Sequence, residues 1–223
     1  MAMSQTDNAN HERFMARHAF PTAIAWHGLT IYAPTGVYHP HPNAESSSEL
    51  LWLAAYNVNP KGKRVVELGC GTGAVGLWLA HAVRHNDVWL SDIDAVAVST
   101  AEINGMANGL SVSVRQGNLF DGLPEDMLFD LVLFNPPLWN SPLGNQSDSI
   151  TMDPGFGILK SFLTELDQRL DDRGEAIVLM TEEAMALDEM KRWDATKMAH
   201  QWRESPGVIH AVKLRRPKFT AVA

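Results

Sequence analysis

Apolar and polar positions along this chain follow two rhythms, and the change from one to the other marks its organisation. Between Phe20 and Tyr38, Ala23-Ile24-Ala25-Trp26 and Leu29-Thr30-Ile31-Tyr32 flank His27-Gly28, which predicts two short strands around a tight turn. His39-Pro40-His41-Pro42-Asn43 follows. Each proline pushes the residue before it towards extended geometry, so this stretch reads as a stiff loop. Ser46 to Ser48 can cap a helix starting near Glu49 and running through Leu50-Leu51-Trp52-Leu53. The segment from Met1 to about Arg17 is polar and predicts no more than a frayed helix.

After Pro60-Lys61-Gly62 the pattern becomes strand–helix alternation. Strands are predicted at Arg64 to Leu68, Val88 to Ser91, Val112 to Arg115, Phe129 to Phe134 and Ala176 to Met180. Helices are predicted at Ala74 to Val83, Ala95 to Ala107 (stopped by Asn108-Gly109), Ile158 to Leu170 (closed by Asp171-Asp172-Arg173-Gly174) and Glu182 to about Met190. Two more strands around Ser205-Pro206-Gly207 complete the chain. Strands separated by helices imply an α/β fold: a mostly parallel sheet covered on both faces, with the last pair as an antiparallel edge. The expected division is an N-terminal extension and entry loop over residues 1–45 and a catalytic domain over 46–223.

Composition narrows the classes. At 223 residues and 45% hydrophobic content, one α/β domain with its own core fits, and a second full domain does not. A formal net charge of −8 argues against affinity built on neutralising many phosphates. The single cysteine, Cys70, excludes an intrachain disulfide. With no signal-peptide layout and no apolar run near the roughly 20 residues of a membrane helix, a cytoplasmic protein without membrane contact is expected.

The sharpest chemical signal is Glu67-Leu68-Gly69-Cys70-Gly71-Thr72-Gly73-Ala74-Val75-Gly76, a buried strand running through alternate glycines into a helix. Gly71-x-Gly73-x-x-Gly76 formally matches the dinucleotide fingerprint, in which a pyrophosphate sits on free N–H groups at the helix start near Ala74. Glu67 argues against that ligand, because its carboxylate would repel a pyrophosphate. The same carboxylate favours S-adenosylmethionine, which carries an ammonium and a sulfonium. Asp92, at the tip of the next strand, can accept the hydroxyls of a ribose, whereas Asp94 reads as the N-cap of the helix at Ala95. After the third strand, Asn118 can accept from an adenine amine and Leu119 can pack on the ring face.

Asn135-Pro136-Pro137-Leu138-Trp139 follows the fourth strand, where a doubly wound sheet binds its ligands. An amide or aryl-amine nitrogen has a delocalised lone pair and attacks a methyl group poorly. If Asn135 Oδ1 and the Pro136 carbonyl both accept from its NH₂ group, they hold it in line and stabilise the charge developing on it. Pro136 and Pro137 stiffen that geometry, and the chemistry needs no metal.

Taken in order, Glu67 to Gly73, Asp92 and Asn135-Pro136-Pro137 resemble the class I S-adenosylmethionine-dependent methyltransferases acting on planar nitrogens. That group includes the release-factor glutamine methyltransferases (the HemK/PrmC family) and related RNA and DNA amino-methyltransferases. The segment Gly36 to Ser46 also resembles the proline-containing entry loop of the HemK type, and the likeness extends to about Arg216. It implies a Rossmann-like doubly wound seven-stranded sheet with an antiparallel edge strand, and a cofactor site formed by Glu67, Gly69, Gly71, Gly73, Asp92, Asn118 and Leu119. It also implies catalysis by Asn135, Pro136 and Pro137. Leu138 stands where the family usually has an aromatic residue, Asn118 where Asp is common, and about 40 residues precede the core.

These departures and the acidic charge favour a small-molecule or peptide-like acceptor. A macromolecular acceptor (a protein glutamine or an RNA base) and a non-catalytic S-adenosylmethionine-binding protein are the alternatives, with a dinucleotide oxidoreductase further behind. Leu138, Trp139, Tyr38 and His39 are the candidate substrate contacts, and Trp26, Tyr32 and Tyr38 a candidate lid. His39 and His41 lack a third metal ligand. Lys213, Arg215, Arg216 and Lys218 read as charges protecting an edge strand.

Overall fold

The computed structural model describes residues 16, 19–41, 46–83, 87–144, 149–202 and 207–217. The polar segment from Met1 to Met15, Pro42 to Glu45 of the entry loop, Ser205 and Pro206 of the last turn, and Lys218 lie outside the described residues. A hairpin of β1 (Thr22–Trp26) and β2 (Leu29–Ala33) leads to α1 (Ser47–Tyr56). Then come β3 (Arg64–Leu68), α2 (Ala74–Ala82), β4 (Asp87–Asp92), α3 (Ala95–Ala107), β5 (Ser113–Gln116) and β6 (Phe129–Phe134). The remainder is α4 (Gly157–Arg169), β7 (Leu170–Thr181), α5 (Glu182–Met185), β8 (Asp194–Trp202) and β9 (Val208–Arg215).

β3 to β9 form one seven-stranded sheet in the order β5-β4-β3-β6-β7-β9-β8. β3 pairs in parallel with β4 on one side and β6 on the other, so the winding reverses at β3 and opens a crevice at the carboxyl ends of these strands. β9 runs antiparallel to both β7 and β8. The expected α/β sheet with an antiparallel edge is therefore the fold observed. Side chains alternate across it with period two. Val65, Leu131, Leu133, Ile177 and Leu179 join α1, α2 and the hairpin in one core, while Val66, Leu68, Val132, Phe134 and Val178 pack with α4 in the other. Both faces of the central strands are covered, which is why these strands read as apolar runs. Among the described residues, no helix is long and apolar enough to cross a membrane.

Four expectations need correction. The helix predicted from Glu182 to about Met190 stops at Met185, and a 3₁₀ turn over Asp188–Arg192 follows. That turn carries Met190 and Trp193 into the second core, so burial outweighs helix propensity. Asp171 to Gly174 is not a closing turn but the irregular start of β7, where the register against β6 shifts. The basic residues of β9 do not guard an edge, because β8 is the edge strand. Arg215 instead pairs with Glu175 at 2.6 Å, and Arg216 with Asp167 at 3.0 Å. Trp26 forms no lid, since it is fully buried in the first core.

The hairpin docks through side-chain amides. Asn108 Oδ1 accepts from Thr30 N–H at 3.0 Å and its Nδ2 donates to Thr30 O at 2.9 Å. One helical turn earlier, Asn104 Oδ1 accepts from Tyr32 N–H at 2.8 Å, and its Nδ2 donates to Tyr32 O at 2.9 Å and to Thr72 O at 3.0 Å. The outer edge of β2 is thus satisfied by α3, and Asn104 joins the hairpin to the glycine loop. Asn104→Ala orphans three backbone groups at a site only 1% exposed, and should cost about 3 kcal/mol. Asn108→Ala, where water replaces the amide, should cost less than about 1 kcal/mol. Urea unfolding midpoints measure both, and equal losses would contradict this reading of Asn104.

Candidate active site

The carboxyl ends of β3, β4, β5 and β6 open into one cavity of about 290 Å³, near the lower end of ligand-pocket sizes. Its floor is the loop after β3. Gly73 adopts φ +76°, and a Cβ there would lie 3.1 Å from both Ala101 Cβ and Leu90 Cδ1. At Gly76 a Cβ would lie 2.3 Å from Leu90 Cδ2 and 2.9 Å from Glu67 Oε2, so α2 can approach β3 and β4 only with glycine there.

Glu67, one residue before the end of β3, is buried at 5% exposure, and its Oε2 accepts from Gly76 N–H at 2.7 Å. A donor that the sequence reading offered to an external anion at the start of α2 is therefore already engaged by the protein's own carboxyl group. Burial pushes the Glu67 carboxyl up to about 8, against the opposing effect of the Gly76 hydrogen bond, and the neighbouring charge of Asp92 adds to the rise. Asp92, at the tip of β4, accepts from Gly71 N–H at 2.8 Å and from Asp94 N–H at 3.0 Å. Burial raises its carboxyl as well. Two of the roughly four acceptor sites of this carboxylate thus brace the loop. Asp94 caps α3 by accepting from Val96 N–H at 2.8 Å, as the sequence implies.

Glu67, Asp92 and Asp94 line the cavity, and no Lys or Arg stands among its described lining residues. With Glu67 holding its proton up to about 8, Asp92 and Asp94 are the charges that make the site attract a cation and repel a pyrophosphate. Asn118 and Leu119 line it from the turn after β5. Asn118 is exposed, whereas Leu119 is buried in the left-handed conformation at φ +52°, its carbonyl accepting from Ser91 Oγ at 3.1 Å. Gly69, Gly71 and Tyr38 also line it; Gly73 is absent from the lining and holds the turn behind it.

Asn135, Pro136, Pro137, Leu138 and Trp139 line the cavity from the loop after β6. Asn135 Nδ2 donates to Ser47 Oγ at 3.0 Å. Trp139 is tied to the segment before α4 by Trp139 N–H to Thr151 O at 2.9 Å and Asp153 N–H to Trp139 O at 2.8 Å. Asp153 then accepts from Ile158 N–H and Leu159 N–H at 3.0 Å each, fixing the start of α4. His39 is not brought to the cavity. It is 1% exposed, its Nε2 lies 3.3 Å from Pro34 O, and burial lowers its basicity. Among the described residues, no three metal-ligating side chains gather.

The family model described as the methyltransferase small domain matches residues 28–196. The chain belongs to that family. This methyltransferase small domain is 25% identical over 161 residues to the ribosomal RNA small subunit methyltransferase C of Vibrio parahaemolyticus, covering 72% of this chain and 42% of that protein. It is 32% identical over 132 residues to the release factor glutamine methyltransferase of Deinococcus radiodurans, covering 59% of this chain and 44% of that protein. The chain thus spans less than half the length of either relative. The methyltransferase small domain shares its fold with a Thermus thermophilus 16S rRNA N2 G1207 methyltransferase, at TM-score 0.65 and 20% identity over 88% of this chain and 50% of that one. It also matches a methyltransferase from Pyrococcus furiosus, at TM-score 0.59 and 16% identity over 95% and 98% of the two chains.

Two residues of this methyltransferase small domain escape a reading of the sequence. Asn104 left a signal, because an amide inside a helix competes with the backbone unless it has an outside partner. Ser47 reads as one of three capping serines, yet the Ser46 side chain at the N-cap makes no capping bond, and Ser47 Oγ is directed at Asn135.

A pH dependence follows from Glu67. Its folded-state value lies above its unfolded value, so the fold retains a proton that the unfolded chain loses from about 4.5 upward. Stability from this group is full below that range and is lost as pH rises towards about 8. Glu67→Gln keeps an acceptor for Gly76 and removes the titration. Melting temperatures from pH 5 to 9 should show the variant gaining on the parent as pH rises, and parallel curves would contradict the assignment.

Proposed function

We propose that this domain transfers the methyl group of S-adenosylmethionine to a planar amino or amide nitrogen held by Asn135 and Pro136. The observation that carries the reading is one cavity combining an acidic, glycine-floored half with an Asn-Pro-Pro half whose Asn135 amide is already engaged through its nitrogen. Family membership makes S-adenosylmethionine the cofactor, and the Thermus thermophilus enzyme with this fold is described in complex with it. When bound, it supplies an electrophilic methyl group whose sulfur departs as a neutral thioether.

The residues divide the work. Asp92, with acceptor capacity beyond its loop bonds, takes the ribose hydroxyls. Asn118 takes the adenine amine and Leu119 the ring face. Asp92 and Asp94 set a negative potential for the cationic part, Glu67 braces the loop beneath it through Gly76 N–H, and Gly69 and Gly71 allow close backbone approach while Gly73 shapes the turn. Asn135 Oδ1 and the Pro136 carbonyl accept from the acceptor NH₂, and Pro137 keeps the loop stiff. Leu138 and Trp139 offer apolar surface to the plane of the acceptor, and Tyr38 closes the site from the entry segment.

A nucleobase amino group on RNA is the acceptor best supported. The Vibrio parahaemolyticus relative is named for ribosomal RNA, and the Thermus thermophilus enzyme is named for N2 of a guanine and described with guanosine. The small-molecule acceptor favoured by charge and Leu138 has no support among these relatives.

Methyl-labelled S-adenosylmethionine, incubated with the protein and small ribosomal subunits, tests this. Label should enter an acid-precipitable, ribonuclease-sensitive fraction and be recovered on a nucleobase nitrogen. Protease-sensitive label in a parallel incubation with release factor would replace RNA by a protein glutamine, and acid-soluble label in cell extract would restore the small molecule. Asn135→Ala should lower transfer by about 100-fold or more, with S-adenosylmethionine affinity nearly unchanged by calorimetry. Asp92→Ala should weaken that affinity about tenfold or more, roughly 1.4 kcal/mol; unchanged binding would remove the ribose assignment.

A further inference from the structure

We propose that Ser47 and Tyr38 latch the Asn135 amide in one orientation, which makes Ser47 a positioning residue for the methyl transfer. This rests on the reading of Asn135 as the group that holds the acceptor nitrogen. The entry segment and the first residue of α1, nine residues apart, meet here with the loop after β6, which lies 88 residues on from Ser47. Ser47 is buried and belongs to the cavity lining together with Tyr38 and Asn135.

The direction of each hydrogen bond decides the orientation. Ser47 Oγ donates its only proton to the Tyr38 hydroxyl oxygen at 2.9 Å, and Ser47 N–H donates to the same oxygen at 3.2 Å. Ser46 Oγ lies 3.5 Å from that same hydroxyl. With its proton committed, Ser47 Oγ presents only lone pairs to Asn135, so the end of the amide facing it must be the NH₂ group, at 3.0 Å. The flipped amide would set two acceptors against each other. Asn135 Oδ1 is thereby kept for the incoming acceptor. The Ser47 hydroxyl has no part in capping α1, whose first carbonyl bond runs from Leu50 N–H to Ser46 O along the backbone.

The test begins with the amide itself and needs no substrate. In ¹⁵N-labelled protein, the Asn135 side-chain NH₂ resonances are identified by their loss in Asn135→Ala. Ser47→Ala should shift that pair and speed its solvent exchange about tenfold, with S-adenosylmethionine affinity within about threefold of the parent. Tyr38→Phe, which frees the Ser47 proton, should shift the same pair without removing a buried hydroxyl from α1. Resonances unmoved in both variants would overturn the latch.

Turnover on the acceptor found by labelling then tests its purpose. Ser47→Ala should lower kcat about 10- to 100-fold with KM little changed, and should add nothing in an Asn135→Ala background. A full multiplicative loss in the double variant would overturn the positioning role and leave Ser47 as general support. Full activity of Asn135→Ala alone would instead sink the acceptor-holding reading and the positioning role together, while the resonances still decide whether the latch exists.

Discussion

The bond from Gly76 N–H to Glu67 Oε2 is the constraint on which the cavity depends. It folds the last acidic group of β3 back onto the first turn of α2, so the positive end of the helix meets a carboxyl group belonging to the same chain. Two consequences follow. The helix must approach the strand so closely that only glycine fits at position 76, and the place where a dinucleotide fold would seat a phosphate is partly taken. Asp92 repeats the device from the next strand by holding Gly71. The loop is thus braced from β3 and β4 at once, and what remains open to a ligand is acidic.

Much of this was legible because the signals were local. Strand β3, the glycines, and α3 from its Asp94 cap to its Asn108-Gly109 stop are written in contiguous residues, and β6 leads straight into Asn135-Pro136-Pro137. The errors arose where partners lie far apart. Met190 looks like the last turn of a helix until the second core claims it together with Trp193. Arg215 looks like a free surface charge until Glu175 stands opposite it. His39 looks like a site residue until the fold buries it away from the cavity. Ser47 illustrates the same limit within the site: its residue type announces a helix cap, and only the fold reveals that its hydroxyl lies between Tyr38 and Asn135.

Polar side chains, rather than apolar contacts alone, connect the hairpin to the catalytic half of the molecule. Asn104 touches β2 and the glycine loop with one amide, and His27 at the hairpin turn bonds Glu49 of α1 at 2.9 Å while stacking on Trp52 at 3.6 Å. Such groups are buried or half-buried, so each is costly if its partner is lost. The hairpin is therefore held at its turn and along β2 by directional bonds, one set reaching the glycine loop and the other reaching α1.

The seam between α3 and β2 also works as a gauge. Four residues of α-helix advance about 6.0 Å, and two residues of strand advance about 6.6 Å, so Asn104 and Asn108 meet Tyr32 and Thr30 almost without mismatch. Residues 30 and 32 turn their backbone groups to the same side and Ile31 turns away. The strand can consequently be read only in steps of two. Extra residues at the His27-Gly28 turn leave that count untouched, whereas a single residue added within β2 would set both amides against the wrong edge and turn Leu29 and Ile31 out of the core. Variation in hairpin length across such chains should accumulate at the tip, and the seam should stay invariant.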